Sequence, residues 1–128
     1  MDISTLSTAA LSNDGAELEI RHPQTGKPTG IVIVLRGRDS KVYRQLTNEF
    51  RAKAMREKID DPINAAESKA VESRVACTVT WRGMVKDGKE WTFSADRARE
   101  LYTDEGYGWL VDQIDQFIQD RANFLPKA

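Results

Sequence analysis

Residues 80–102, "TWRGMVKDGKEWTFSADRARELY", decide how the chain folds, because they hold a turn, an aromatic cluster and a helix start. Asp87-Gly88 is turn chemistry: glycine takes positive φ without strain, and aspartate bonds its own backbone. Beyond the turn, Trp91 and Phe93 alternate with Glu90 and Thr92, the period of a short half-buried extended strip. Ser94 is placed to cap a helix, its hydroxyl accepting from a free N–H two or three residues on. Asp96 then sits in the first turn, where negative charge suits the helix dipole. The local pattern is helix, turn, extended strip, capped helix.

Upstream, two readings compete. Asp61 as N-cap and Pro62 at the first helical position start a helix, and Ala66, Ala70, Cys77 and Trp81 fall near one face. That helix would run to about Thr80, with Gly83 as its stop. The same stretch also alternates Val75, Cys77, Val79 and Trp81, so a strand over 74–81 pairing with "EWTF" is the alternative. The proline start and the alanines favour the helix. Downstream, the Ser94 helix carries Ala95, Ala98, Leu101 and Tyr102 inward and ends at Gly106. A last helix, from Tyr107 or Gly108 to Phe124, places Leu110, Val111, Ile114, Phe117, Ile118, Ala122 and Leu125 on its apolar face.

Toward the N-terminus, "ELEIRHP" alternates Leu18 and Ile20 with charged residues, and "IVIVLRG" is strongly β-prone. With the turn formers "QTGKPTG" between them they make an antiparallel hairpin. Asp39 or Ser40 caps the next helix, with Val42, Tyr43, Leu46, Phe50 and Ala54 on one stripe and a basic opposite face. Residues 1–15, rich in Ser, Thr and Ala, read as a flexible arm, and residues 16–128 as a single domain. The fold class is α+β, mainly helical: an N-terminal antiparallel β-hairpin followed by about four α-helices.

At 128 residues the chain can bury one core, and its 19 basic and 20 acidic side chains nearly cancel. That balance argues against nucleic acid as a main partner. The longest apolar run, "IVIVL", is far short of a membrane span, and "MDISTLSTAALSND" lacks signal-peptide character. The expectation is a soluble, intracellular protein.

The charges are unevenly placed. Basic residues dominate 36–58, including Arg44, Arg51 and Lys58, and acidic ones dominate 96–120, including Asp112 and Asp115. Solvated helix faces with some internal pairing explain this, and so does head-to-tail contact between copies.

Catalytic chemistry is not legible. His22 has no cysteine or carboxylate at metal-ligand spacing, and Cys77 reads as a buried structural thiol. Asp60-Asp61 is a cap and its neighbour, and neither a phosphate loop nor a dinucleotide fingerprint occurs. No cofactor or metal is expected. The residues describe a binding protein, with the basic helix over 41–58 leaving a small nucleic-acid-binding or regulatory protein as the alternative.

Trp81, Gly83, Asp87-Gly88, Phe93-Ser94, Ala98, Leu101-Tyr102, Trp109-Leu110, Gln113-Ile114, Phe117-Ile118 and "DRANFL" occur in that order. In this ordered set the C-terminal half resembles the tail assembly chaperones of long, flexible-tailed bacteriophages. The resemblance implies a non-enzymatic protein that binds the helical, apolar tape measure protein and keeps it soluble. It also implies recruitment of major tail tube subunits, a host-cytoplasmic location and absence from the finished virion. A second, frameshifted product is common in that family, and a minor structural tail protein is a further alternative. Self-association would use Arg44, Arg51 and Lys58 of one copy against Asp112 and Asp115 of the next. Trp81 and Phe93 read as core, whereas Trp91 and Trp109 are the candidates for contact with a partner.

Overall fold

The computed structural model describes residues 1–58 and 60–126. Within the first fifteen residues, read from the sequence as a flexible arm, Ala9–Asp14 form helix α1. Two polar side chains and a backbone carbonyl dock it. Thr8 Oγ1 donates to Asp39 Oδ2 at 2.7 Å, and Asn13 Oδ1 accepts from the Lys41 N–H at 2.8 Å. The Ser12 carbonyl accepts from the Gly37 N–H at 3.1 Å, and Ser12 itself is buried.

β1 (Ala16–Arg21) and β2 (Pro28–Leu35) form the expected antiparallel hairpin, with Leu18 opposite Ile33. The hairpin is not alone. β3 (Thr78–Arg82) pairs antiparallel with β2, Ile33 opposite Trp81, giving a three-stranded sheet in the order β1-β2-β3. A lone hairpin is marginal in water, and the third strand supplies the missing support.

Between β2 and β3 the chain makes a helical excursion, α2 (Lys41–Arg56) and α3 (Pro62–Cys77). Ser40 caps α2 by accepting from the Tyr43 N–H, and Asp61 caps α3 by accepting from Asn64, each at 3.1 Å. α3 ends at Cys77, not near Thr80, so the favoured helical reading of 74–81 is corrected. The alternative is corrected too, because the strand pairs with β2 rather than with "EWTF". Thr78 makes the switch: its hydroxyl donates to the Arg74 carbonyl at 2.7 Å, closing the last turn, and the β-branched residues 78–80 favour extended backbone. Gly83 therefore ends a strand, not a helix. It holds φ 77° where a Cβ would run into the Gly30 carbonyl, a place only glycine fits.

The Asp87-Gly88 turn joins β4 (Val85–Lys86) to β5 (Lys89–Glu90) in a separate two-stranded ribbon. Both central residues have positive φ, 53° and 80°, as a type I′ hairpin turn requires. α4 (Ala95–Thr103) starts at the expected cap, Ser94 accepting from the Arg97 N–H at 3.1 Å. It buries Ala98, Leu101 and Tyr102 but leaves Ala95 exposed.

α5 (Gly108–Gln119) buries Leu110, Val111, Ile114 and Ile118, yet stops short of Phe124. Asp120 turns extended and accepts from the Ala122 N–H at 3.0 Å, opening a 3-10 turn over Arg121–Phe124. That turn brings buried Phe124 edge-on to Phe117, ring centroids 5.5 Å apart, and leaves Ala122 exposed. Among the described residues the chain is thus α+β with five α-helices and a three-stranded sheet, against the expected hairpin and about four helices.

Ile20, Ile33 and Leu35 from the sheet join Leu101, Tyr102, Leu110 and Ile114 in one core. Gln113 of α5 also closes the edge of β1: its carboxamide accepts from the Arg21 N–H at 2.8 Å and donates to the Arg21 carbonyl at 2.9 Å. A side chain thereby stands in for a neighbouring strand on an edge that would otherwise invite pairing. No helix among the described residues is long and apolar enough to cross a membrane.

Candidate functional site

The short ribbon folds the chain back so that the Trp91 N–H donates to the Met84 carbonyl at 2.9 Å. This places Trp91 on Trp81, rings stacked with centroids 5.5 Å apart, while Phe93 meets Trp81 edge-on at 5.1 Å. Trp81 Nε1 donates to the Trp91 carbonyl at 2.8 Å, which satisfies the only polar atom of a buried indole. Trp81 is core, and Phe93 packs half-buried against that core.

Trp91 is half-buried and carries cations. Lys86 Nζ lies 4.7 Å from its ring centroid and donates to Glu100 Oε1 at 3.0 Å. The Glu100 carboxylate holds the Lys86 ammonium above its ordinary pKa. Arg97 lies 6.0 Å from the same ring and donates to the Thr92 carbonyl and hydroxyl at 2.8 Å. Both cations are fixed by other partners, so the indole is held rather than swinging free.

Trp109, in the first turn of α5, lines the same cleft as Trp91. The cleft encloses about 140 Å³ and is floored by Ile31, Met84, Leu101 and Leu110, with Lys86, Glu100 and Asp104 at its rim. Val85, 64% exposed, and Tyr107, 40% exposed, also line it. Small-molecule sites run to roughly 300–1,000 Å³, so this cleft suits a single large side chain rather than a metabolite. An apolar centre inside a charged rim is how protein contacts are built. The structure thus brings together the two tryptophans singled out from the sequence. Val85 and Tyr107 were missed, because their exposure follows from the ribbon and the 3-10 turn Glu105–Tyr107, which no periodicity announces.

The charged candidates are distributed differently. Arg44, Arg51 and Lys58 are all exposed, as is Asp112. Asp115 instead binds Arg74 bidentately, at 2.7 and 2.8 Å, with the Arg74 side chain only 18% exposed. Of the acidic pair proposed to meet a neighbouring copy, Asp112 alone is without such an internal partner among the described residues.

The residues with nucleophilic or metal-binding chemistry are engaged locally. His22 Nδ1 accepts from the Gln24 and Thr25 N–H groups, fixing a turn. Cys77 is buried, and burial pushes its thiol up to about 11. A thiol so protonated is a poor nucleophile. Among the described residues no group of three or more His, Cys, Asp or Glu side chains is placed to hold a metal ion. A larger cleft of about 500 Å³ between α3 and α4 is of mixed lining, and its two arginines are paired, Arg99 with Glu72 and Arg74 with Asp115. Compared with family models, curated proteins and solved structures, the chain finds no match.

Proposed function

We propose that this chain is a phage tail assembly chaperone: a non-enzymatic protein that binds the tape measure protein, keeps it soluble and helps recruit tail tube subunits. The observation that carries the reading is the cleft lined by both Trp91 and Trp109, with an apolar floor and a charged rim. A long apolar helix needs its exposed side chains covered before assembly, and a pocket sized for one such side chain can anchor it. The ordered resemblance over the C-terminal half supports the same reading. In that role the protein works in the host cytoplasm and is left out of the mature virion. Self-association would place Arg44, Arg51 and Lys58 against Asp112 of a second copy.

The test is co-expression with a phage tape measure protein, taken from the gene immediately downstream where that gene encodes one. The expected result is a tape measure protein that moves into the soluble fraction and co-purifies with the chain. Trp109→Ala should reduce co-purification while leaving the circular dichroism spectrum unchanged. A tape measure protein equally insoluble with and without the chain would overturn the proposal. So would detection of the chain as a stoichiometric component of purified particles, which favours a structural tail protein.

A further inference from the structure

The cleft that Trp91 and Trp109 line is not neutral at its rim. Two carboxylates, Glu100 and Asp104, stand there against one ammonium, Lys86. Glu100 takes that ammonium at 3.0 Å, whereas Asp104 is in no ion pair among the described residues. Asp104 Oδ1 accepts from the Gly106 N–H at 2.9 Å, which fixes the carboxylate at the start of the 3-10 turn Glu105–Tyr107. Arg97, 6.0 Å from the Trp91 ring, donates to Thr92 and lies outside the cleft. The walls are aromatic, with Tyr107 joining the two tryptophans. Lys86 already shows what such walls hold: its Nζ lies 4.7 Å from the Trp91 ring centroid while it donates to Glu100. Aromatic faces beside carboxylates are surroundings that attract an organic cation.

We infer that this cleft takes a lysine or arginine side chain presented by a helical segment of a partner protein. The inference rests on the reading of the cleft as the partner contact and adds the chemistry of the side chain it holds. The aliphatic stem lies over the floor of Met84, Leu101 and Leu110, and the charged head reaches the rim at Asp104. Long basic side chains divide in this way, burying the stem and keeping the head in water. At about 140 Å³ the cleft admits a side chain and not a helix, so the segment docks by one residue while its neighbours pass along the rim. A carboxylate in the same place would meet two others. An uncharged side chain would cover the floor but leave the Asp104 charge unanswered.

The experiment uses the full chain and helical peptides of alanine and glutamine that differ only at one central residue: arginine, norleucine or glutamate. Binding is read from the tryptophan indole N–H signals by NMR. The arginine peptide should bind several-fold tighter than the norleucine peptide, and the glutamate peptide weakest. Asp104→Asn, which keeps an oxygen for the Gly106 N–H, should bring the arginine peptide to the norleucine level and leave the norleucine peptide unchanged. Lys86→Met should tighten arginine binding several-fold, because a like charge leaves the rim. Trp109→Ala should weaken the arginine and norleucine peptides alike. Asp104 and Lys86 are exposed, so their substitution should leave the circular dichroism spectrum unmoved. Failure of the arginine peptide to bind, equal binding of the arginine and norleucine peptides, or tighter binding of the glutamate peptide overturns the inference. So does arginine binding that is insensitive to Asp104→Asn or Trp109→Ala, or not tightened by Lys86→Met. The chaperone reading fails separately. A tape measure protein left insoluble while the arginine preference holds would sink that reading and leave this one, and solubilisation without the preference would do the reverse.

Discussion

Replacing Tyr102 by phenylalanine should destabilise the protein near neutral pH and stabilise it, relative to the parent, in strong alkali. The phenol is buried, with Thr78 Oγ1 2.8 Å away. The single Thr78 hydroxyl proton goes to the Arg74 carbonyl, which can only accept, so Tyr102 must donate to Thr78. Removing that donor forfeits one neutral hydrogen bond, about 0.5–1.5 kcal/mol. Burial also pushes the Tyr102 pKa from 10.0 up to about 12. For an acid whose folded pKa is raised, the contribution is intact below the unfolded value. It is lost as pH rises from about 10 to about 12, where the unfolded chain has released a proton that the folded chain keeps. By about pH 11 that loss reaches about 1.4 kcal/mol, enough to offset the hydrogen bond. Cys77 titrates in a similar window but is present in both proteins, so it largely cancels from the difference. Urea midpoints measured from neutral pH to about pH 11 should therefore converge and then cross. A constant gap between the two proteins across that range would refute a buried, protonated phenol donating to Thr78.

Ser94→Ala should lower stability by about 0.5–2 kcal/mol and Ser94→Gly by only a few tenths, read from denaturant midpoints, because the hydroxyl accepts from the Arg97 N–H. Equal losses for both would mean that capping is not its role. Ile33→Asp should unfold the domain, since Ile33 is fully buried, while half-buried Val34 on the opposite face should tolerate aspartate better. Equal tolerance, measured by thermal unfolding, would remove the sheet from the core. Arg121 and the Thr8 hydroxyl hold the Asp39 carboxyl below its ordinary pKa. A depressed carboxylate stabilises above its unfolded value and is lost as pH falls through the folded one, so Asp39→Asn should show a flatter decline below about pH 4. Superimposable acid limbs would contradict the Asp39 linkage.

The caps, the turn and the apolar faces were legible because each is set by neighbours in sequence. Ser40, Asp61 and Ser94 all cap where their side chains and following residues imply, and Asp87-Gly88 makes the turn its two residues demand. The misreadings lie where tertiary pairing overrides local pattern. Val75, Cys77, Val79 and Trp81 satisfy both periods, so nothing local could place the helix end at Cys77; the free edge of β2 decided it. α1 was illegible for another reason. Its docking rests on the Thr8 and Asn13 side chains and the Ser12 carbonyl bonding to residues more than twenty positions away, and such polar contacts carry no burial signal of their own. For the site, aromatic excess marked Trp91 and Trp109, but only the fold shows that one cleft holds both.

β2 and β3 are neighbours in the sheet, yet the whole of α2 and α3 lies between them in sequence. The excursion therefore leaves the sheet and returns to it: its returning end buries Val75 and Cys77, and Tyr43 and Val71 pack half-buried against the core. Every described residue from 51 to 68 is exposed, including Met55 and Ile63, at 83% and 75%. That exposed stretch draws little stability from the body, which holds the two helices through their other ends. The cleft between Trp91 and Trp109 is the reverse case, fixed by a stacked indole pair, a type I′ turn and two anchored cations. Under the proposed function, the fixed pocket would hold one side chain of a long helical partner, while the exposed basic helix would offer it charge.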